Sequence, residues 1–270
     1  MAVTAVELWK ALSYLGTEAF YVLLCTLLYT AWSPRRGIVL LASTALGAAL
    51  TLYLKAVLHL PRPPPSEWLV PAYGYGFPSG HALVSSSFWT SLTLVSGCRA
   101  LAALAAAVVI AVSVSRVELH VHYVRDVVGG ALIGFAVGFT LYRLSRRALR
   151  ETILCTSIIA TALSLTALLA PAPGLSPESI AVATRYCYTV AGISIALAVY
   201  PLVERRVRDE VYRSISAVKR LGLAIAIAIA ATVSAVASTK LIAYPQLLLP
   251  SFAAITLGVL SSPLALASRR

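Results

Sequence analysis

Long apolar runs separated by short polar segments recur along the whole chain. Most are about 20 residues long, which is the length an α-helix needs to cross a hydrocarbon layer about 30 Å thick. The pattern predicts an all-α fold, a polytopic transmembrane helical bundle with about nine spans. The predicted spans cover about residues 10–32, 37–58, 81–98, 100–115, 126–142, 152–170, 181–203, 221–239 and 242–267.

Small residues and prolines add detail to two of these spans. The fifth carries glycines at four-residue spacing: Gly130, Gly134 and Gly138. This spacing predicts a helix face on which a neighbouring backbone can pack closely. The last contains three prolines: Pro245, Pro250 and Pro263. Proline removes a backbone donor and clashes with the preceding turn, so these residues predict a kink or a break.

Composition agrees with a membrane protein. The 270 residues are 59% hydrophobic and only 12% charged, too little charge to cover the surface of a soluble domain of this length. The first apolar run contains Glu18 and lacks a basic leader, so we expect no cleaved signal peptide.

The net charge of +12 indicates how the protein is oriented in the membrane and does not indicate nucleic-acid binding. No recognisable nucleic-acid-binding motif occurs, and the basic residues cluster between apolar runs. In the nine-span topology, 15 of the 22 Lys and Arg residues fall on one side. Because cytoplasmic loops are enriched in Lys and Arg, we expect the C-terminus in the cytoplasm and the N-terminus on the extracytoplasmic side.

Three cations lie where a simple membrane anchor does not need them: Lys55, Arg62 and Arg116. The topology places all three at the outer membrane face, where they would repel one another unless an anion lies between them. The planar fork of arginine suits phosphate, and lysine adds a point charge. The turn Pro-Ser-Gly before His81 adds backbone N–H groups and a hydroxyl at a helix N-terminus. Together these features predict a phosphate-binding site.

Two histidines at the same face can supply the chemistry. His122 precedes Asp126 by four positions, so on a helix the carboxylate can reach the imidazole and fix its tautomer. A histidine held in this way is a candidate nucleophile towards phosphorus. His81, on another helix, is a candidate to protonate the leaving oxygen and then to activate water.

The order and spacing of these residues resemble a known signature. K-x6-R-P begins at Lys55, P-S-G-H ends at His81, and S-R-x5-H-x3-D ends at Asp126. The three blocks are similar to those of the type 2 phosphatidic acid phosphatase superfamily. Nine spans with the N-terminus outside resemble its glucose 6-phosphatase and sphingosine phosphate phosphatase branches.

The resemblance implies a role for each matching residue. The phosphate ligands would be Lys55, Arg62, Ser79, Gly80 and Arg116. His122 would be the nucleophile, Asp126 its partner and His81 the acid/base, with a phosphohistidine intermediate and neither metal nor cofactor. The resemblance also implies a phosphatase core over residues 1–170, with the signature at 55–126, and additional transmembrane helices over 171–270.

The expected function is hydrolysis of a lipid phosphate monoester or polyprenyl diphosphate at the outer face, with a phosphorylated lipid as substrate and membrane lipids as surroundings. Three alternatives use the same site: a small polar substrate such as a sugar phosphate, transfer to an acceptor other than water, and a phosphate carrier. The carrier is disfavoured because transport needs neither His81 nor the His122–Asp126 pair. The identity of the substrate and the oligomeric state stay open.

Two further readings concern acidic residues and histidines. A set of five residues has metal-ligand chemistry: His81, Glu118, His120, His122 and Asp126. We disfavour a metal because Lys55, Arg62 and Arg116 would repel it. Glu18, inside the first span, either pairs with a base such as Lys55 or contacts the substrate and tunes the charge of the phosphate site.

Overall fold

The computed structural model describes residues 3–204 and 248–267, and residues 216, 219, 222 and 246 singly. These residues form α-helices and one short 3-10 turn, Pro65–Glu67, without any strand, so the all-α prediction is confirmed. The helices are α1 (Val3–Tyr14), α2 (Glu18–Ala31), α3 (Pro34–Leu58), α4 (Gly80–Ser96), α5 (Ala100–Glu118), α6 (Val124–Ser145), α7 (Leu149–Leu169), α8 (Pro177–Leu197), α9 (Tyr200–Glu204) and α10 (Leu248–Ala267).

The apolar helices make this an integral membrane protein. Among the described residues, α3, α5, α6, α7 and the stretch Pro177–Leu202 are each long and apolar enough to cross a membrane. The pair α1–α2 passes the same test only when taken together. The predicted eighth span, 221–239, lies outside the described residues, so the count of nine stays a prediction.

The first span differs from the continuous helix expected over 10–32. Its two helices are bent by 45° at a break after Tyr14. Thr17 caps the second helix, because its hydroxyl accepts from the Phe20 N–H at 3.4 Å. The 14 residues of α2 rise about 21 Å, which is less than a hydrocarbon core of about 30 Å.

The last predicted span is less interrupted than its prolines indicate. Pro250 lies in the first turn of α10, where its missing N–H removes no intrahelical bond. The helix then continues across Pro263 to Ala267, so the chain has no break there.

Close contact between α4 and α6 confirms the predicted glycine face. A Cβ added to Gly134 would lie 2.2 Å from the Leu83 carbonyl oxygen, and one added to Gly138 would also meet α4 backbone, at 2.6 Å. A Cβ at Gly130 would lie 2.7 Å from the carbonyl oxygen of Ser79. Only glycine fits at this separation, and the contact seats the start of α4 against the start of α6.

Alternating helix directions collect the predicted site residues at one end of the bundle. At this end α3, α5 and α7 finish, while α4, α6 and α8 begin. At the opposite end Glu204 accepts from Arg35 at 3.0 Å and from Arg150 at 2.6 Å, which ties α9 to the starts of α3 and α7.

Candidate active site

Lys55 lies in the last turn of α3 and is held by the loop that precedes α4. Its ammonium donates to the carbonyl oxygen of Tyr75 and, at 3.0 Å, to that of Gly76. Both acceptors are neutral, so the lysine is positioned while its charge stays uncompensated at this contact.

Arg62 is fixed by the same loop and by the turn before α6. Its Nε donates to the Gly74 carbonyl at 2.9 Å and its Nη2 to the Tyr73 carbonyl at 2.8 Å. Its Nη1 donates to the Val121 carbonyl at 2.7 Å and lies 2.9 Å from His122 Nε2. The guanidinium therefore links the first predicted motif to the third.

Arg116 enters the site from the last turn of α5 and is only 8% exposed. Its Nη1 donates to the Ser13 hydroxyl of α1 at 2.6 Å. Its buried Nε has no hydrogen-bond partner among the described residues.

Burial and the neighbouring Arg116 lower the pKa of Arg62 to about 9, which still leaves Arg62 cationic at neutral pH.

The start of α4 contributes a second unpaired polar group. Ser79 is fully buried at the N-cap, and its N–H donates to the Asp126 carbonyl at 2.9 Å. Its hydroxyl has no hydrogen-bond partner in the described part of the chain. Gly80 packs against α3, since an added Cβ would lie 3.1 Å from Thr51 Cγ2. Buried polar atoms are normally paired, so the Ser79 hydroxyl and Arg116 Nε are two unused donors beside the candidate site.

The geometry of His122 identifies its tautomer. Arginine N–H groups only donate, so His122 Nε2 must accept from Arg62 and carries a lone pair. The proton of the neutral ring then lies on Nδ1, 3.3 Å from Asp126 Oδ2. The same carboxylate oxygen accepts from the Tyr123 N–H at 3.0 Å at the start of α6. Asp126 thus orients the imidazole so that Nε2 can act as a nucleophile.

The surroundings of His122 favour its neutral form. The ring is only 4% exposed. Burial, followed by the charges of Arg62 and Lys55, holds the pKa of His122 well below its usual value near 6.5. A neutral imidazole is the form that can attack phosphorus.

A cavity of about 660 Å³ joins these groups. Six of the predicted site residues line it: Lys55, Arg62, Gly80, His81, Arg116 and His122. Ser79 and Asp126 are fully buried behind them. His81, in the first turn of α4, therefore lines the same space as His122, which lies in the bend before α6 rather than on a helix.

Glu18, the remaining predicted residue, also lines this cavity. It follows the bend between α1 and α2, where Gly16 approaches the site so closely that an added Cβ would lie 2.9 Å from His81 Cδ2. Among the described residues Glu18 does not pair with Lys55, which was one of its expected partners. The Lys55 ammonium instead donates to backbone carbonyls of the loop before α4.

Sequence reasoning missed several residues that support the site. The Ser13 hydroxyl and the carbonyl groups of residues 73–76 hold the cations, and the end of α7 and the start of α8 line the cavity. The glycines within 73–76 are a sequence signal that this loop packs closely against the site. In the structure a Cβ added to Gly76 would lie 2.7 Å from the Pro61 carbonyl oxygen and 3.0 Å from Asp126 Oδ2.

The neighbouring histidines have structural contacts. His59 Nε2 lies 3.2 Å from the Pro171 carbonyl, and His120 Nδ1 lies 3.2 Å from the Glu67 carbonyl. Across the described part of the chain, no group of three or more His, Cys, Asp or Glu residues is arranged to hold a metal ion.

Part of the chain matches a known protein family, and the fold is similar to a solved structure. Residues 36–150 match the family model of the PAP2 superfamily. The comparison with curated proteins gave no match. The fold is similar to a crystal structure described as the first transmembrane PAP2 type phosphatidylglycerolphosphate phosphatase from Bacillus subtilis, with a TM-score of 0.50 and 22% identity. The similarity covers 55% of this chain and 80% of the other.

Proposed function

Because residues 36–150 match the family model of the PAP2 superfamily, we propose that this membrane protein is a phosphatase that hydrolyses a lipid phosphate monoester or a polyprenyl diphosphate at the outer membrane face. The observation that carries the proposal is the setting of His122, whose Nε2 faces Arg62 and whose Nδ1 faces Asp126. The similar structure is described as a transmembrane PAP2 type phosphatidylglycerolphosphate phosphatase, which is in keeping with the proposal.

The phosphate group binds between Lys55, Arg62 and Arg116. The unpaired Arg116 Nε and Ser79 hydroxyl donate to its oxygens, and the N-terminus of α4 adds partial positive charge. Arg116 contributes paired, parallel donors that match phosphate oxygens, whereas four of the five N–H groups of Arg62 already donate to backbone carbonyls and His122. Bound phosphate also relieves the mutual repulsion of the three cations.

In the first chemical step His122 Nε2 attacks phosphorus, and the bond from phosphorus to the leaving oxygen breaks. His81, protonated in the substrate complex, gives its proton to that oxygen. Asp126 stabilises the positive charge that develops on the imidazole of His122. The product of this step is a phosphohistidine and a free alcohol or, from a diphosphate, a monophosphate.

In the second step water attacks the phosphohistidine while His81 accepts its proton. The bond between Nε2 and phosphorus breaks, which restores neutral His122 and releases inorganic phosphate. Lys55, Arg62 and Arg116 stabilise the charge on the transferred group, so the proposal needs no metal ion.

The test is turnover and phosphoenzyme formation in purified protein with phosphatidate, polyprenyl diphosphate, sphingoid base phosphate and sugar phosphates. A radiolabelled phosphate should appear on wild-type protein after an alkaline quench. His122→Asn should abolish both the label and turnover. A matched control is His120→Asn, because His120 has a left-handed φ of 57° that asparagine tolerates well. Turnover by His122→Asn would contradict the assigned nucleophile.

A further inference from the structure

The cavity is much larger than a phosphate group. Its volume of about 660 Å³ lies within the ~300–1,000 Å³ range of pockets that hold whole small molecules. One wall consists of the phosphate-binding residues described above. The facing wall comes from α1, α2, the end of α7 and the start of α8, all of which lie outside the matched segment 36–150. This wall must contact the part of the substrate that is not phosphate.

Glu18 is the one carboxylate among the described residues that line the cavity. It lies in the first turn of α2, where the helix dipole favours a negative charge. Among the described residues it has no hydrogen-bond or ion-pair partner. A partly buried carboxylate without a partner is costly unless a ligand donates to it.

Its charge determines which part of a substrate it can face. A carboxylate accepts hydrogen bonds and repels a phosphate oxygen, so Glu18 cannot be a phosphate ligand. Tyr186, on the facing turn of α8, lies within electrostatic range of Glu18 and adds a hydroxyl to the same wall. The wall therefore presents an acceptor beside a hydroxyl, opposite the cations.

We propose that Glu18, assisted by Tyr186, binds a hydrogen-bond donor carried by the leaving alcohol of the substrate, either a hydroxyl or an ammonium group. The inference rests on the proposed phosphatase function and deepens it by naming the substrate class. Substrates of this class carry a donor a few atoms from the phosphoester, as in phosphatidylglycerol phosphate and sphingoid base phosphates. Phosphatidate and polyprenyl diphosphates carry none on the leaving group.

The measurement is kcat/KM for phosphatidylglycerol phosphate and for sphingosine phosphate, each divided by kcat/KM for phosphatidate in the same detergent. Wild-type protein should prefer at least one donor-bearing substrate. Glu18→Ala should lower that preference about tenfold, the effect of losing one hydrogen bond to a charged group. Glu18→Gln separates the two donors, because an amide still accepts from a hydroxyl but no longer attracts an ammonium group. The matched variant Tyr186→Phe should lower the same ratio by a smaller factor.

Each outcome decides the proposal. Ratios unchanged in Glu18→Ala and Glu18→Gln overturn it, as does an equal fall for all substrates, which would assign Glu18 to the charge of the phosphate site. If Glu18→Ala does not fold, Glu18→Leu, which also removes the acceptor, and Tyr186→Phe decide in its place, and unchanged ratios in both overturn the proposal. Wild-type protein that hydrolyses phosphatidate yet gives unchanged ratios refutes only this inference, whereas inactivity on every substrate refutes the proposed function as well.

Discussion

At the scale of single residues, Asp126 has two roles that a substitution can separate. Its carboxylate faces His122 Nδ1 at 3.3 Å and also accepts from the Tyr123 N–H at 3.0 Å. Asp126→Asn keeps an oxygen acceptor for the helix cap but removes the negative charge that stabilises the imidazolium. We expect kcat to fall roughly 100-fold or more while the melting temperature changes little. Unchanged kcat in a folded variant would contradict the role of Asp126.

The lowered pKa of His122 predicts a direction for the pH dependence. Burial and the cations around the ring favour the neutral form, so protonation needs a pH below the usual value near 6.5. His122 should therefore stay neutral through pH 6.5 and become protonated only at lower pH. A ¹⁵N NMR titration of histidine-labelled protein checks this, with His122→Asn identifying the resonance. Titration of that resonance above pH 6.5 would contradict the proposed environment.

The sequence indicated which polar residues lie together at the candidate site better than it indicated the residues that hold them in place. The spacing from Lys55 to Arg62 and from His122 to Asp126 is short, so one helix or loop determines it. The bond between Arg116 and Ser13 joins residues 103 positions apart, and no local pattern indicates it. Such contacts depend on how the helices pack, which sequence spacing does not describe.

At the scale of helices, spans two to seven follow the apolar pattern to within a few residues. Backbone contact between α4 and α6 was also predictable, because glycine spacing in α6 encodes it locally. The break between α1 and α2 falls at Gly16-Thr17-Glu18, a short polar interruption that the apolar pattern includes in one continuous predicted span. It depends on the Thr17 cap and on space beside His81 that only Gly16 leaves.

The loop between α7 and α8, which lies outside the matched segment, contacts the candidate phosphate site. The Tyr75 hydroxyl donates to the Pro173 carbonyl at 2.8 Å, while the Tyr75 carbonyl accepts from Lys55. The Tyr75 ring also packs on His59, whose Nε2 contacts the same interhelical loop. Tyr75 thus connects the lysine of the first motif to the C-terminal helices.

Tyr75→Phe tests this connection by removing one hydroxyl. Losing a neutral hydrogen bond costs about 0.5–1.5 kcal/mol, so we expect KM to rise roughly two- to tenfold while kcat changes less. The matched control is Tyr142→Phe, because the Tyr142 hydroxyl accepts from Arg146 at the opposite end of the bundle. Steady-state kinetics of both variants on one substrate give the comparison. A KM equal to that of Tyr142→Phe would show that the contact does not position Lys55.

At the scale of the whole molecule, charge is distributed unequally between the two ends. Seven arginines lie at the end opposite the site: Arg35, Arg36, Arg99, Arg143, Arg146, Arg147 and Arg150. Among the described residues the site end carries six cations: Lys10, Lys55, Arg62, Arg116, Arg125 and Arg185. The cavity accounts for Lys55, Arg62 and Arg116 without any role in orientation. The positive-inside rule therefore predicts that the site opens on the extracytoplasmic side.

Cysteine labelling in intact cells tests this orientation. Cys98 is exposed at the end opposite the site, and Ser66 is exposed in the 3-10 turn at the site end. With the other exposed cysteine removed by Cys155→Ser, an impermeant maleimide should label Cys98 only after the cells are permeabilised. A second variant, in which Cys98→Ser and Ser66→Cys are added to Cys155→Ser, should be labelled in intact cells. The same protein without Ser66→Cys is the control, because it measures the background from the buried cysteines. Labelling of Cys98 in intact cells would place the site on the cytoplasmic side and refute the predicted orientation.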